Sequence, residues 1–385
     1  MRFRHRDGST VHLGYSATGL PATDLDELIR WLDGCAGVAR AELGVPALGI
    51  GLWLVSPLAD RLANSPVALR KLQRALARHR LEVVSLNGVA HSAFADKVVG
   101  SKVYCPDWTD TERLRYTVDL VDILAELLPP DAEYGSISTL PLAWREPWSK
   151  QRNEATRVAF DRLEFHLDRT ERRTGRRIRI AVEPEPGCVL EMVGQAAGWL
   201  SNYVSPDAGR SRIALGLDTC HLAVQFEEPG PAFETLWRAG VDVVKAQLSV
   251  APQLVDPSDS AGQQALKDLS DPKFLRQVRE WCGPGVDDIE LAYQLSGHAC
   301  WRMHAHIAAH EPPPAPLTAT TAVLDECLNR LVGGGHPMTH HLESETYTWS
   351  RQPRTRPQLA KRIVGELAWL RNRLTGLGLQ EILDP

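Results

Sequence analysis

Four stretches of this sequence put carboxylates or imidazoles beside apolar runs that read as buried strands. In IAVEPEPG, Glu183 ends the run 178–182, and Glu185 follows on the same side of an extended chain. A carboxylate there needs a cation or a hydrogen-bond network to offset its desolvation, and a neighbouring arginine would serve as well as a metal. In LGLDTCH, Asp218 ends the run 212–217 and His221 lies about one helical turn further on. The two can share a pocket, or Asp218 can cap the next helix while His221 is a core residue. In WRMHAHIAAH, His304 and His306 alternate with Met303, Ala305 and Ile307, so both imidazoles face one side of a strand. That arrangement suits Zn2+, Mn2+ and similar ions, and it also suits histidines hydrogen-bonded inside a core. In HHLESETYTW, Glu343 and Glu345 share a face that Tyr347 and Trp349 continue. Aromatic rings beside carboxylates fit the apolar face of a sugar ring, and equally fit plain packing.

Two carboxylates around one divalent cation can hold the ion and take a proton from a carbon beside a carbonyl. The ion polarises that carbonyl. Glu183 and Glu343 lie on strands far apart in sequence. Facing each other across one pocket, they would remove a proton on one face and return it on the other.

An alternation of strands and helices must position these groups. Strand-like runs at 12–15, 47–55, 81–86, 135–140, 178–182, 212–217 and 241–247 are separated by amphipathic stretches at 24–43, 65–79, 109–128, 151–174, 192–204 and 232–239. Apolar strands alternating with helices imply a parallel sheet covered by helices. Eight or nine such units favour a closed (β/α)8 TIM barrel in a single domain over 1–385, and no GxGxxG follows the first strand. In such a barrel, functional groups gather at the C-terminal ends of the strands. The stretch from about 250 to 300 breaks the rhythm and reads as an insertion with a helix near 273–281. Runs at 301–307 and 341–347 bring the strand count to nine, one more than a barrel needs. A proline-rich connector (EPPPAP) separates these two runs, and a helix over 356–374 closes the chain.

Bulk composition narrows the function. The chain has 385 residues, 43% hydrophobic, with a formal net charge of −5. That balance argues for a large globular core and against nucleic-acid binding. No apolar run is long enough to span a membrane, and the first ten residues lack a signal-peptide core. Seven scattered cysteines with no CxxC pair fit reduced thiols in a cytoplasmic protein.

Glu at one strand end, D-T-x-H at the next and a late L-E before a closing helix resemble the xylose-isomerase-like barrel superfamily. HLGY, GIGLWL, SLNG, YCPDWTD, SISTLPL, EPEPGC, LDTCHLAV, the H-x-H stretch and LESETYTW together resemble the EboE family of metabolite traffic proteins. That family belongs to an operon with prenyltransferase and cyclase-like partners. The superfamily resemblance implies a divalent ion, Mn2+ or Zn2+ with Mg2+ as the alternative, held by Glu183, Asp218 and Glu343. It makes His221 a substrate contact or a second-metal ligand. The strand after LDTCH normally carries a histidine ligand, but here it reads VVKAQLS with Gln247 in that place. Either Gln247 ligates through its carbonyl oxygen, or His304 or His306 takes over. Lys245 points to the side of Gln247 and could bind a phosphate or carboxylate, or form an internal salt bridge. Asn87 in SLNG and His91 beyond it are further substrate contacts, or ordinary loop residues. The endonuclease branch of the superfamily uses extra early histidines, of which His91 is the one match.

The expectation is a metal-dependent isomerase or epimerase of a sugar, sugar phosphate or cyclitol-like metabolite. Its partners would be that small polyhydroxylated metabolite and other proteins of the same operon. A metabolite-binding scaffold and a metal-dependent phosphoester hydrolase are the alternatives.

Overall fold

The computed structural model describes residues 1–17, 22–89, 91, 99–207, 210–269, 273–347 and 355–383. Its centre is a barrel of eight parallel strands: Thr10–Ser16, Leu48–Trp53, Ser85–Asn87, Gly135–Thr139, Ile178–Val182, Ile213–Asp218, Val243–Leu248 and His341–Ser344. Each pairs with the next, and the eighth pairs in parallel with both the seventh and the first, closing the ring. The second, fifth, sixth and seventh strands are buried at every position, because helices cover the outer face and side chains fill the lumen. The covering helices begin at local signals. Asp110 caps Thr111–Leu127 by accepting from the Glu112 amide, and Ser149 caps Lys150–Thr174, which ends at Gly175 in the left-handed region.

The lumen is unusually polar below its mouth. Lys245 Nζ lies 3.0 Å from Glu343 Oε1, and both side chains are almost fully buried. Ser85 Oγ donates to the other Glu343 oxygen. A charge pair this deep needs space as well as partners. Gly51 on the second strand supplies it, since a Cβ there would collide with the Glu343 carboxylate. Gly51→Ala is therefore expected to destabilise the fold by about 1–3 kcal/mol. Chemical denaturation measures this, and unchanged stability would show that the carboxylate is free to move.

Residues 252–319 leave the barrel after its seventh strand. They build a five-stranded antiparallel sheet in the order Gly285–Val286, Val278–Glu280, Trp301–Met303, Pro252–Leu254, Thr318–Ala319. Its own apolar core includes Leu254, Leu266, Val278, Ile289, Trp301 and Met303. The supernumerary strand of the sequence reading is therefore the one near 301–307. It belongs to this sheet and ends at Met303, so His304 and His306 lie on the segment that leaves it. The helix expected at 273–281 is not there. Val278–Glu280 is a strand, and the helix of this region is Ser260–Leu269. Three polar contacts clamp the sheet over the barrel mouth: Arg279 to Glu191 at 2.8 Å, Arg302 to the Ala223 carbonyl at 2.7 Å, and Arg145 to Asp287.

Buried Glu366, on the closing helix Arg356–Gly376, ties the eighth strand to the end of the inserted segment. Its oxygens accept from Thr346 Oγ1 at 2.8 and 2.9 Å and from the Ala309 amide at 3.2 Å. Burial pushes its carboxyl up to about 7, above the ordinary 4.5. The protonated form is thus favoured in the folded state. Its contribution to stability is full below pH 4.5, declines between 4.5 and 7, and is lost above. Glu366→Gln should flatten that decline, which is on the order of 3 kcal/mol in the wild type. Denaturation at pH 5 and pH 8 tests this, and an equal decline in both proteins would contradict it.

Candidate metal centre at the barrel mouth

The strand ends converge on one buried cluster. Glu183 follows the fifth strand and Asp218 ends the sixth. Asp218 divides its work between its two oxygens. Oδ1 accepts from the Cys220 amide (2.7 Å), the His221 amide (3.0 Å) and Ser249 Oγ (2.7 Å), so it caps the helix Thr219–Val224. Oδ2 has no hydrogen-bond partner among the described residues and lies 3.7 Å from His306 Nε2. Glu183 is alike: Oε1 stands 3.6 Å from His221 Nδ1, and Oε2 is buried with no hydrogen-bond partner among the described residues. The two functions weighed for Asp218 are therefore compatible, one on each oxygen.

The histidines carry the more telling geometry. His221 Nδ1 lies 2.9 Å from the Pro184 carbonyl, which can only accept, so this nitrogen carries the hydrogen. Gln277 Nε2 donates to the Pro186 carbonyl at 3.0 Å, which turns Gln277 Oε1 toward His304 Nδ1 at 2.9 Å. His304 Nδ1 must then carry a hydrogen as well. In two neutral rings, both Nε2 atoms are left as acceptors, and they face each other at 3.0 Å. Two lone pairs that converge in a buried site need a positive charge between them, either a metal ion or the proton of an imidazolium. Two metal–nitrogen bonds of ~2.05 Å at a tetrahedral angle would set the nitrogens ~3.3 Å apart, close to what is seen. His306 completes a compatible group with His221 and His304, while Glu183 and Asp218 form another with His221. The residues present thus fit a divalent ion.

Electrostatics point the same way. Burial pushes the Glu183 carboxyl up to about 8, and Asp218 and Glu185 add to the rise. Burial with Glu183 and Asp218 nearby drives Glu345 far above the ordinary carboxylate range. Burial also raises Asp218, but His221, His306 and Ser249 outweigh it and the net shift is downward. His304 is driven well below the usual imidazole range and His306 down to about 4, both chiefly by burial. Burial lowers His221 too, but Asp218, Glu185 and Glu183 outweigh it, so its net shift is upward. Glu183 and Glu345, held above their ordinary values, beside His304 and His306, held below theirs, are groups that a cation would relieve together, whereas Asp218 and His221 already offset each other.

The cluster floors a cavity of ≈ 90 Å³ lined by Trp53, Asn87, Tyr104, Glu185, Gln247, Phe274, Glu345 and Tyr347 among others. A volume of that order holds about three water molecules, below the range usual for ligand pockets. A larger groove of ≈ 840 Å³ runs outside the barrel between Thr111–Leu127 and Lys150–Thr174. Its charged residues Asp110, Lys150, Glu154 and Arg162 are all exposed, unlike the buried groups at the mouth.

The sequence candidates divide. Glu183, Glu185, His221, Asn87, Gln247, His304 and His306 line the cavity, with Asp218 against His306. Gln247 uses its oxygen to accept from Ser138 Oγ at 3.0 Å and its nitrogen to donate to Glu345, so it holds Glu345 in place. Glu343 sits at the level of Ser85 and Gly51, two residues below Asn87 and Trp53 on those strands, bound to Lys245. Lys245 therefore shows the internal salt bridge. His91 is buried against the Tyr116 ring, 5.1 Å between centroids, and is outside the cavity lining. Trp349 lies outside the described residues. Tyr104 and Gln277 were missed. Tyr104 donates to Glu185 Oε1 at 2.7 Å from a short 3-10 turn, and Gln277 precedes a three-residue strand. Neither stretch carries a periodic signal.

Two solved structures share the architecture. One is described as IolI protein with a binding zinc atom, at 12% identity, covering 95% of this chain and 99% of that one, with a TM-score of 0.51. The other is a D-tagatose 3-epimerase-like protein, at 14% identity, covering 95% and 98%, with a TM-score of 0.50. The fold is the xylose-isomerase-like (β/α)8 barrel. Neither a family profile nor a curated protein sequence matches the chain. Among the described residues of this barrel, no helix is long and apolar enough to cross a membrane.

Proposed function

We propose that this barrel is a divalent-metal-dependent isomerase or epimerase of a small polyhydroxylated metabolite, acting by proton transfer beside a carbonyl. The observation that carries the reading is a pair of overlapping groups that could each hold an ion at the cavity floor, His221 with His304 and His306, and His221 with Glu183 and Asp218. These five residues would hold the ion. Three imidazoles among the donors favour Zn2+ or Mn2+ over Mg2+, which prefers oxygen ligands. A bound ion would polarise the substrate carbonyl and make the adjacent C–H acidic.

The chain's own residues supply the rest. Glu183 and Glu345 follow the fifth and eighth strands, three positions apart around a ring of eight, so they approach the cavity from opposing sides. One would take the proton and the other return it, with Glu345 in the role that the sequence reading gave Glu343. Gln247 donates to Glu345 and fixes its rotamer. Trp53, Tyr104, Phe274 and Tyr347 offer rings to the C–H faces of a polyol and exclude water. An epimerase-like protein and a zinc-holding protein among the structural neighbours agree with this reading. The motif set resembles the EboE family, and by that resemblance operon neighbours would be the source or recipient of the metabolite.

One observation favours a carrier instead: Glu343, an expected proton-transfer acid, is locked to Lys245. Exchange in D2O separates the two readings. Metal-loaded protein with ketoses or ketocyclitols should place deuterium on the carbon beside the carbonyl. Metabolite binding that is insensitive to chelator, with no exchange, would establish the carrier.

A further inference from the structure

The 25-residue helix Lys150–Thr174 runs along the outside of the barrel for about 38 Å. Gln151, Glu154, Val158, Arg162, Phe165 and Arg169 recur at intervals of three and four residues, so they share one face, and all are exposed. Two of them are large and apolar: Val158 is 43% exposed and Phe165 is 70% exposed. A single exposed hydrophobic residue needs no explanation, but these two belong to a continuous apolar strip. Val158 walls the groove of ≈ 840 Å³, together with Trp108, Leu114, Ala155 and Ala159. Phe165 stands one turn beyond Arg162, which also lines that groove.

We propose that this face is the interface of a homodimer, in which two copies of the helix pack antiparallel about a two-fold axis. Seven positions separate Val158 from Phe165, about 10.5 Å along the helix. A two-fold axis midway between them, at the level of Asp161 and Arg162, sets Phe165 of each copy against Val158 of the other, at the edge of the groove. That register follows from the apolar pair alone and leaves no freedom for the charges. Glu154 then falls level with Arg169 of the second copy, and Arg169 with Glu154 of the second copy. The acid stands in the N-terminal half of the face and the arginine in the C-terminal half. Antiparallel reversal therefore joins opposite signs, whereas parallel packing would set like on like. The agreement of charge with a register chosen on apolar residues is what selects a second copy of this chain as the occupant.

Sedimentation equilibrium of the full chain tests this. An interface of one helix per copy lies at the small end of specific interfaces, so the 42.6 kDa chain is expected to dimerise with a Kd on the order of 10 µM. Phe165→Glu should weaken association by about 100-fold, because it removes the apolar anchor twice and sets a charge in its place. Glu154→Arg and Arg169→Glu each oppose like charges at both symmetric contacts, and each alone should weaken association by about 10-fold. Mixed in equal amounts, these two variants should recover the wild-type affinity, since the mixed pair restores opposite signs at both contacts. All three positions are exposed, so the folded monomer should be unaffected, with circular dichroism as the control. A wild type that stays monomeric up to about 1 mM overturns the proposal. So does a dimer that Phe165→Glu leaves intact, or a mixture of the two charge variants that associates no better than either alone.

Discussion

Glu183→Gln is expected to abolish measurable proton exchange, lowering the rate by about 10²–10⁴-fold, while the barrel stays folded. Glutamine keeps the shape but cannot accept a proton from carbon, and its neutral oxygen is a poorer donor to a cation. The stability readout should move the other way. Glu183 is buried with one oxygen lacking a hydrogen-bond partner among the described residues, a cost the metal-free protein bears. The variant should therefore melt no lower than the wild type without metal, and lose most of the wild type's gain in melting temperature when metal is added. Retained exchange in a well-folded variant would remove Glu183 from the mechanism.

The second large effect concerns the inserted sheet. Replacing His304 and His306 together with alanine is expected to weaken cation binding by more than about 100-fold, exceeding the 10–100-fold usual for partners that only orient a ligand. Gln277→Leu should fall within that smaller range, because Gln277 fixes which His304 nitrogen faces the cluster. The sheet has its own apolar core, with Leu254, Leu266, Val278 and Trp301, so the double variant should retain its fold. Metal titration with circular dichroism as the folding control distinguishes loss of donors from loss of structure. Wild-type affinity in the double variant would show that the barrel carboxylates and His221 suffice, and that the insertion only covers the mouth.

The barrel was readable because its strands announce themselves. ALGIGLWLV and IALGL are apolar throughout, as buried parallel strands must be, and capped helices separate them. The ends of those strands were equally legible, so Glu183, Asp218 and His221 could be placed together. The eighth strand was harder. Glu343 and Glu345 obey the same alternation, and only the depth within the lumen, set by strand stagger, decides which reaches the cavity. Gln247 was recognised as a departure from the histidine expected there, but its partners Ser138 and Glu345 come from other strands that sequence spacing does not relate. The inserted sheet was least legible. Its strands are two or three residues long, too short for periodicity, and Gln277 reaches Pro186 across 91 residues of chain.

The most direct test is anomalous scattering from crystals grown with Zn2+ or Mn2+. A single strong peak is expected between the Nε2 atoms of His221 and His304, with carboxylate oxygens of Glu183 and Asp218 at bonding distance. Crystals soaked in millimolar metal that show no peak there, with the two imidazoles bridged by a proton instead, would contradict the account.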